Sequence, residues 1–149
     1  MIRAGFFIAV LAATLIYAIA ALGRTPEAVA YTWKVIRVVD GDTVQFEAPW
    51  IPAPIAQRIS VRVYGVDTPE KGHRAQCPQE AIMGQRATDF TKNAIASASS
   101  VQVMLMDWDK YGGRVLGDIM IDGRSLRSSL IAEGLAREYF GEAKTSWCN

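Results

Sequence analysis

Three short segments of the chain concentrate carboxylate and arginine side chains next to glycine or proline. They are Asp40-Gly-Asp-Thr43, Arg62-Val-Tyr-Gly-Val-Asp-Thr-Pro-Glu70 and Asp107-Trp-Asp-Lys-Tyr-Gly-Gly-Arg114. Taken singly, each segment is also typical of an ordinary turn, a capped strand end or a solvated hairpin loop. Because all three occur in one chain, they predict a shared site where several strands end.

The residue types in these segments suit chemistry on a phosphodiester. Asp42 and Asp67 can hold a hard divalent cation through oxygen. Arg62 and Arg114 can each hold phosphate oxygens with two parallel hydrogen bonds. Glu70 adds a carboxylate that can act as a base or orient water. Such a set is suited to metal-assisted hydrolysis of a phosphodiester bond.

Alternating hydrophobic patterns predict five strands that would position these segments. The predicted strands cover residues 32–39, 43–47, 59–66, 101–106 and 114–121. Helical spacing and capping residues predict a helix over residues 78–96 and a second over 125–133. This order predicts an α+β fold: a five-stranded Greek-key β-barrel, the OB-fold, with one helix between the third and fourth strands and a second helix near the C-terminus.

Residues 1–30 predict an export signal. Arg3 precedes an uncharged run, residues 4–22, which is close to the ~20 residues needed to span a bilayer. Two small-x-small patterns, one inside that run and one ending at Ala30, are typical of cleavage sites. A cleaved signal peptide and an uncleaved inner-membrane anchor are both compatible with this pattern. In either case the domain over residues 31–149 would be exported, as a periplasmic or secreted protein, with a membrane contact only if the leader stays attached.

Composition limits the kinds of ligand that this domain can hold. Without residues 1–30, the chain carries 14 basic and 14 acidic side chains. Binding of an anion by overall basicity is therefore excluded, and local clusters must hold any anionic ligand. The pair Cys77 and Cys148 fits an oxidising compartment and favours a disulfide over two buried thiols. The two cysteines and the lone His73 do not have the spacing of a zinc site.

The three charged segments, in this order, resemble the motifs of the staphylococcal-nuclease-like (thermonuclease) family. The matching residues are Asp40-Gly-Asp-Thr43, then Arg62 with Asp67-Thr-Pro-Glu70, then Asp109-Lys-Tyr-Gly112 followed by Arg114. The resemblance implies a Ca²⁺-dependent nuclease that cuts DNA and RNA and leaves 3′-phosphates. Together with the export signal, it predicts an exported nuclease with little sequence specificity. No protein partner is predicted.

The resemblance also implies which residues would bind the metal. Asp42, Asp67 and the backbone carbonyl of Thr68 would ligate Ca²⁺. Asp40 would act on the ion indirectly, through water.

The remaining matches imply roles toward the substrate. Arg62 and Arg114 would hold the scissile phosphate, and Glu70 would be the general base or would position the attacking water. Tyr111 would line the nucleotide site. An additional glycine, Gly113, displaces Arg114 by one residue from the family spacing. In a strand, such a shift turns a side chain to the opposite face unless a bulge absorbs it.

Two other functions fit parts of the sequence. A catalytically impaired nucleic-acid-binding OB module would explain the displaced Arg114. A membrane-tethered interaction protein would use the barrel for a protein or sugar partner. The complete set Asp42, Arg62, Asp67 and Glu70 favours the enzyme over both.

Overall fold

The structure is a computed structural model that describes residues 29–110 and 112–148. The expected leader over residues 1–30 lies outside this part of the chain except for its last two residues. Tyr111, the expected nucleotide contact, lies outside it as well. Both therefore stay predictions. No helix of the described residues has the length and hydrophobicity needed to cross a bilayer.

The described residues form nine strands, two α-helices and one 3-10 turn. The strands are β1 (Ala30–Tyr31), β2 (Val35–Asp40), β3 (Thr43–Glu47), β4 (Arg58–Val63), β5 (Val66–Asp67), β6 (Val101–Trp108), β7 (Arg114–Ile121), β8 (Arg124–Ser125) and β9 (Arg137–Glu138). The helices are α1 (Pro78–Ser97) and α2 (Leu126–Ala132), and the 3-10 turn covers Gly72–Arg74.

The five longer strands form the expected barrel-like sheet. The sheet order is β1-β6-β7-β4-β3-β2, with β8 paired to β7. Strands β4 and β7 are parallel, whereas the other neighbours are antiparallel. Helix α1 connects β4 and β5 to β6, and α2 follows β8. The predicted five-stranded OB-fold with a helix between its third and fourth long strands is thus confirmed.

Several strand bounds differ from the predicted ones. The first long strand begins at Val35 rather than at residue 32, and β6 continues to Trp108 instead of ending at residue 106. The third predicted strand stops at Val63, because Gly65 adopts a positive φ of 79° and turns the chain. The two residues of β5 then pair with β9, in a small second sheet near the C-terminus.

Side chains of β3, β4, β6 and β7 build the core with helix α2. The buried apolar residues include Val44, Phe46, Val61, Val63, Val103, Val115, Ile119, Leu126 and Leu130. In β4, Val61 and Val63 point into this core, so the side chain of Arg62 between them points to the opposite face. The hydrophobic pattern of one strand thereby fixes the direction of a charged residue.

Candidate active site

One cavity of about 440 Å³ lies where the β2–β3 turn, the end of β4 and the β6–β7 hairpin meet the C-terminal tail. The predicted site residues that line it are Asp40, Asp42, Arg62, Thr68, Glu70 and Arg114. Asp67 lies behind the wall, with Oδ1 3.7 Å from Arg62 Nη2. The tertiary structure therefore brings all three predicted motifs to a single site.

Arg62 connects the two predicted metal-binding aspartates. Its Nη2 atom lies 2.9 Å from Asp42 Oδ2 and 3.7 Å from Asp67 Oδ1. Asp42 sits in the turn after β2, and Asp67 ends β5, so two different elements present their carboxylates to one guanidinium. An arginine paired in this way has additional N–H groups with which to hold a phosphate oxygen.

Burial gives Asp42 an unusual protonation equilibrium. The pKa of this carboxyl is raised from 3.8 to about 7, chiefly by burial and also by the neighbouring Asp40. Arg62 and the hydroxyl of Thr43, which donates to Asp42 Oδ1 at 2.9 Å, oppose this increase. Arg62 alone therefore does not offset the cost of burying the Asp42 anion. A bound cation would supply the missing positive charge.

The oxygen atoms at this end of the cavity fit a hard cation. Among the described residues, no group of three or more His, Cys, Asp or Glu side chains could hold a metal ion. Two carboxylates, Asp42 and Asp67, nevertheless converge, and Thr68 is buried beside them. The buried Oδ1 atom of Asp40 accepts no hydrogen bond within the described part of the chain. Ca²⁺ accepts carboxylate, backbone carbonyl and water oxygens together, so these residues fit it.

Glu70 is held by an arginine that sequence reasoning did not identify. Arg74 Nε lies 3.2 Å from Glu70 Oε2, and Arg74 Nη2 donates to Asp40 Oδ2 at 3.0 Å. The hydrogen bond to Asp40 raises the pKa of Arg74, so this guanidinium stays charged. The signal available in the sequence was the four-residue spacing between Glu70 and Arg74.

Arg114 faces the cavity despite its displacement in the sequence. Strands β4 and β7 are in register with Ser60 opposite Arg114, so Arg114 lies on the same face of the sheet as Arg62. Its Nε and Nη2 atoms both lie 2.6 Å from Asp109 Oδ2. Gly113 and the glycine before it both adopt positive φ, and the extra residue is accommodated in this turn. The shift therefore does not direct Arg114 away from the site.

Aromatic residues that were not predicted as site residues complete the wall. They are Tyr64, Trp108, Tyr139 and Phe140. The rings of Tyr64 and Phe140 meet edge to face, with centroids 5.8 Å apart. Tyr64 could have been identified from the alternation of β4, because it lies two residues after Arg62. The position of the other three depends on where β6 ends and how the tail folds back.

The C-terminal tail reaches the site and is joined to helix α1. Cys77 and Cys148 form a disulfide, with Cα atoms 6.0 Å apart. Next to the bridge, Trp147 Nε1 donates to Asp67 Oδ2 at 3.1 Å, and Lys144 Nζ lies 2.5 Å from Asp67 Oδ1. Neither Trp147 nor Lys144 was predicted as a site residue. For Trp147, the signal was its position beside a cysteine expected to form a disulfide.

Fold and cavity together define an OB-fold protein whose main cavity is lined by arginine and carboxylate side chains from the three motifs. The sequence model of the family described as staphylococcal nuclease homologue matches residues 60–147, more than half of the chain. The chain belongs to this family, as the three motifs predicted.

Curated relatives agree with this family. The chain is 33% identical over 113 residues to a thermonuclease of Staphylococcus hyicus, covering 73% of this chain and 60% of the relative. It is 30% identical over 117 residues to endonuclease YncB of Bacillus subtilis (strain 168), covering 74% and 50%. Endonuclease YhcR of the same strain is 28% identical over 116 residues, covering 74% and 9%. The chain thus spans less than two thirds of the length of each of these relatives.

Proposed function

We propose that this protein is an exported, Ca²⁺-dependent nuclease that hydrolyses DNA and RNA with little sequence specificity and leaves 3′-phosphates. The observation that carries the proposal is the meeting of Arg62, Arg114 and Glu70 in one cavity beside the paired carboxylates Asp42 and Asp67. Membership of the family and the names of its relatives support nuclease activity. Export is supported by the leader sequence and by the disulfide.

The two arginines would hold the scissile phosphate from two strands. Arg62 and Arg114 extend from the same face of neighbouring strands, and each has an aspartate as its partner. These partners limit the rotation of the guanidinium groups, so the donors are directed into the cavity before substrate arrives. Negative charge that grows on the phosphate oxygens in the transition state would be stabilised by these donors.

Glu70 would act on the attacking water. Its carboxylate lines the cavity and is oriented by Arg74. The water oxygen would bond to phosphorus while the bond from phosphorus to the 5′ oxygen breaks, leaving the phosphate on the 3′ side. Glu70 would accept the proton lost by the water, and the 5′ oxygen would gain a proton as it leaves. Ca²⁺ held by Asp42, Asp67 and the Thr68 carbonyl would polarise the phosphate as a Lewis acid.

A cleavage assay on the purified full-length protein tests this function. Single-stranded DNA and RNA would be incubated with Ca²⁺, with Mg²⁺ and with chelator, and the ends of the fragments analysed. We expect fragments with 3′-phosphates only in the reaction that contains Ca²⁺.

Replacing Arg62 by Ala should reduce kcat by about 10²- to 10³-fold, because the substitution removes a hydrogen-bond donor to the negative charge that develops on the phosphate. Arg58→Ala is the matched control, since this exposed arginine lies on the same strand but not in the cavity.

Two results would contradict the proposal in different ways. Binding of nucleic acid without cleavage in any metal would identify the chain as a binding module. Cleavage that is unchanged in both Arg62→Ala and Glu70→Gln would show that the nuclease activity comes from another site. Glu47→Gln, at the exposed end of β3, controls for the loss of a carboxylate.

A further inference from the structure

The C-terminal tail holds both oxygens of Asp67. Trp147 Nε1 donates to Oδ2 at 3.1 Å, and the Lys144 ammonium lies 2.5 Å from Oδ1. Asp67 and Trp147 are buried, whereas the side chain of Lys144 is 46% exposed and lines the cavity. The two contacts differ in kind. The indole N–H of Trp147 is a buried, neutral donor behind the carboxylate, whereas the ammonium of Lys144 is a cation on a long, flexible side chain at the cavity side.

Three contacts fix Trp147 in this position. The guanidinium of Arg137 lies over the indole ring, 3.8 Å from its centroid, and Arg137 Nη1 donates to the carbonyl of Ser146 at 2.8 Å. Directly after Trp147, Cys148 is bonded to Cys77, the N-cap residue of helix α1. The tail after β9 has no strand or helix among the described residues, so these contacts determine where the indole lies.

We infer that Trp147 is a positioning residue for the metal ligand Asp67, that the Cys77–Cys148 bridge keeps it there, and that Lys144 competes with the metal for Asp67. This inference rests on the proposed function, because it concerns the affinity of that same site for Ca²⁺. A carboxylate with Oδ2 held by the indole presents Oδ1 in one orientation, so less freedom is lost when a cation binds. The Lys144 ammonium, in contrast, already neutralises the oxygen that the cation would use.

Calorimetric titration of the full-length protein with Ca²⁺ tests the first part. Trp147→Phe keeps the ring but removes the N–H group. We expect Kd for Ca²⁺ to rise by about 10-fold, the lower range seen when a hydrogen-bond partner of a metal ligand is removed. Trp50→Phe is the matched control, because Trp50 is exposed and lies outside the cavity. Its Kd should equal that of the wild type.

Lys144→Gln should change the affinity in the opposite direction. Removing the charge from a half-exposed lysine should lower Kd for Ca²⁺ by about 2- to 5-fold, the range of an exposed ion pair. A purely structural role of the tail would weaken binding in both variants, because both would loosen Asp67. An unchanged Kd in Trp147→Phe would overturn the positioning role, and weaker binding in Lys144→Gln would overturn the competition.

The contribution of the bridge is tested by the double variant Cys77→Ser/Cys148→Ser. Serine at position 77 can still cap helix α1, so the main loss is the link to the tail. We expect weaker Ca²⁺ binding than in the wild type and little further loss when Trp147→Phe is added, because both changes act through one contact. Fully additive effects would contradict this role of the bridge.

Failure of the inference can be told from failure of the proposed function. If the wild-type protein binds no Ca²⁺ and cuts no DNA, the proposed function is wrong. If it does both and the Trp147→Phe and Lys144→Gln variants bind like the wild type, only the inference is wrong.

Discussion

At the scale of single residues, Asp42 shows how the site depends on charge balance. It is buried in the β2–β3 turn, and it shares the Arg62 guanidinium with Asp67. Burial disfavours its ionised form more than Arg62 favours it, so the pKa rises to about 7. A cation in the cavity would reverse this balance. The Asp42 carboxylate is therefore less stable as an anion in the metal-free protein than it would be with a cation bound.

Asp42 should make the metal-free protein less stable as pH rises from about 4 to 7. In this window the unfolded chain has lost the proton from Asp42, whose ordinary pKa is 3.8, whereas the folded chain retains it. The free energy of unfolding then falls by up to about 1.4 kcal/mol per pH unit from this group. Urea denaturation in chelator, compared between wild type and Asp42→Asn, measures the effect.

In the Asp42→Asn variant, the free energy of unfolding should fall less steeply with rising pH than in the wild type. Asp89→Asn serves as control, because Asp89 is an exposed carboxylate on helix α1 and should leave the pH dependence as it is. Identical slopes in wild type and Asp42→Asn would show that the raised pKa does not contribute to stability.

At the scale of elements, helix α1 determines where two of the three motifs lie. Ala87 packs against Gly41 so closely that a Cβ there would lie 2.7 Å from the Cβ of Ala87. The hydroxyl of Thr91 donates to the carbonyl of Gly41 at 2.7 Å. Gly84 lies against the backbone of Glu70, where a side chain would overlap the Glu70 carbonyl. One face of the helix thus sets both the Asp40–Asp42 turn and the Glu70 segment.

Gly84→Ala should destabilise the protein, although alanine favours helices. An added methyl group would meet the backbone of Glu70 and would have to push the segment away from the helix. We expect the free energy of unfolding to fall by about 1–3 kcal/mol, as in other overpacked sites, against a helix-propensity gain of about 1 kcal/mol. Turnover should also fall, because Glu70 moves. Denaturation and cleavage kinetics measure the two effects.

The control for this substitution is Gln85→Ala, the next residue on the same helix, which is exposed. It should change stability by less than about 0.5 kcal/mol. Higher stability of Gly84→Ala than of the wild type would mean that the helix can move away from Glu70 at little cost.

At the scale of the whole molecule, the C-terminal tail folds back to the candidate site and is linked there to helix α1 and to β5. The tail returns to the start of helix α1 through the disulfide, across a sequence separation of 71. Strand β9 pairs with β5, whose last residue is Asp67. The C-terminal tail is thereby attached to β5 and to the start of helix α1, so local opening of the tail would also open the cavity wall near Asp67.

Removing the disulfide should lower the stability of the whole domain. A bridge closing a loop of this length restricts the unfolded chain by about 4 kcal/mol in the chain-entropy model. The Cys77→Ser/Cys148→Ser variant and the reduced wild type should both show a loss of this order in denaturation experiments. Equal stability of oxidised and reduced wild type would show that the bridge does not restrict the unfolded chain in this way.

Local patterns in the sequence were sufficient to predict much of the fold and to single out Asp42, Arg62 and Asp67 as candidate site residues. Strand alternation set the direction of Arg62, because the valines on either side of it must be buried. Asp-Gly and Asp-Thr-Pro segments marked the strand ends where Asp42 and Asp67 lie. These features are local, since the hydrophobic period and the turn residues act over a few positions along the chain.

Only the tertiary structure decided what surrounds those residues. It placed Arg114 on the face of Arg62 through the register of two parallel strands, although the extra Gly113 suggested a displacement. It also brought Trp147 to Asp67 across 80 residues. Such contacts depend on how whole elements pack and on where the disulfide attaches the C-terminal tail. Hydrophobic periods and turn motifs do not specify these contacts, because their energy comes from groups that meet only after the barrel has formed. The only sequence signal for Trp147 was the neighbouring Cys148.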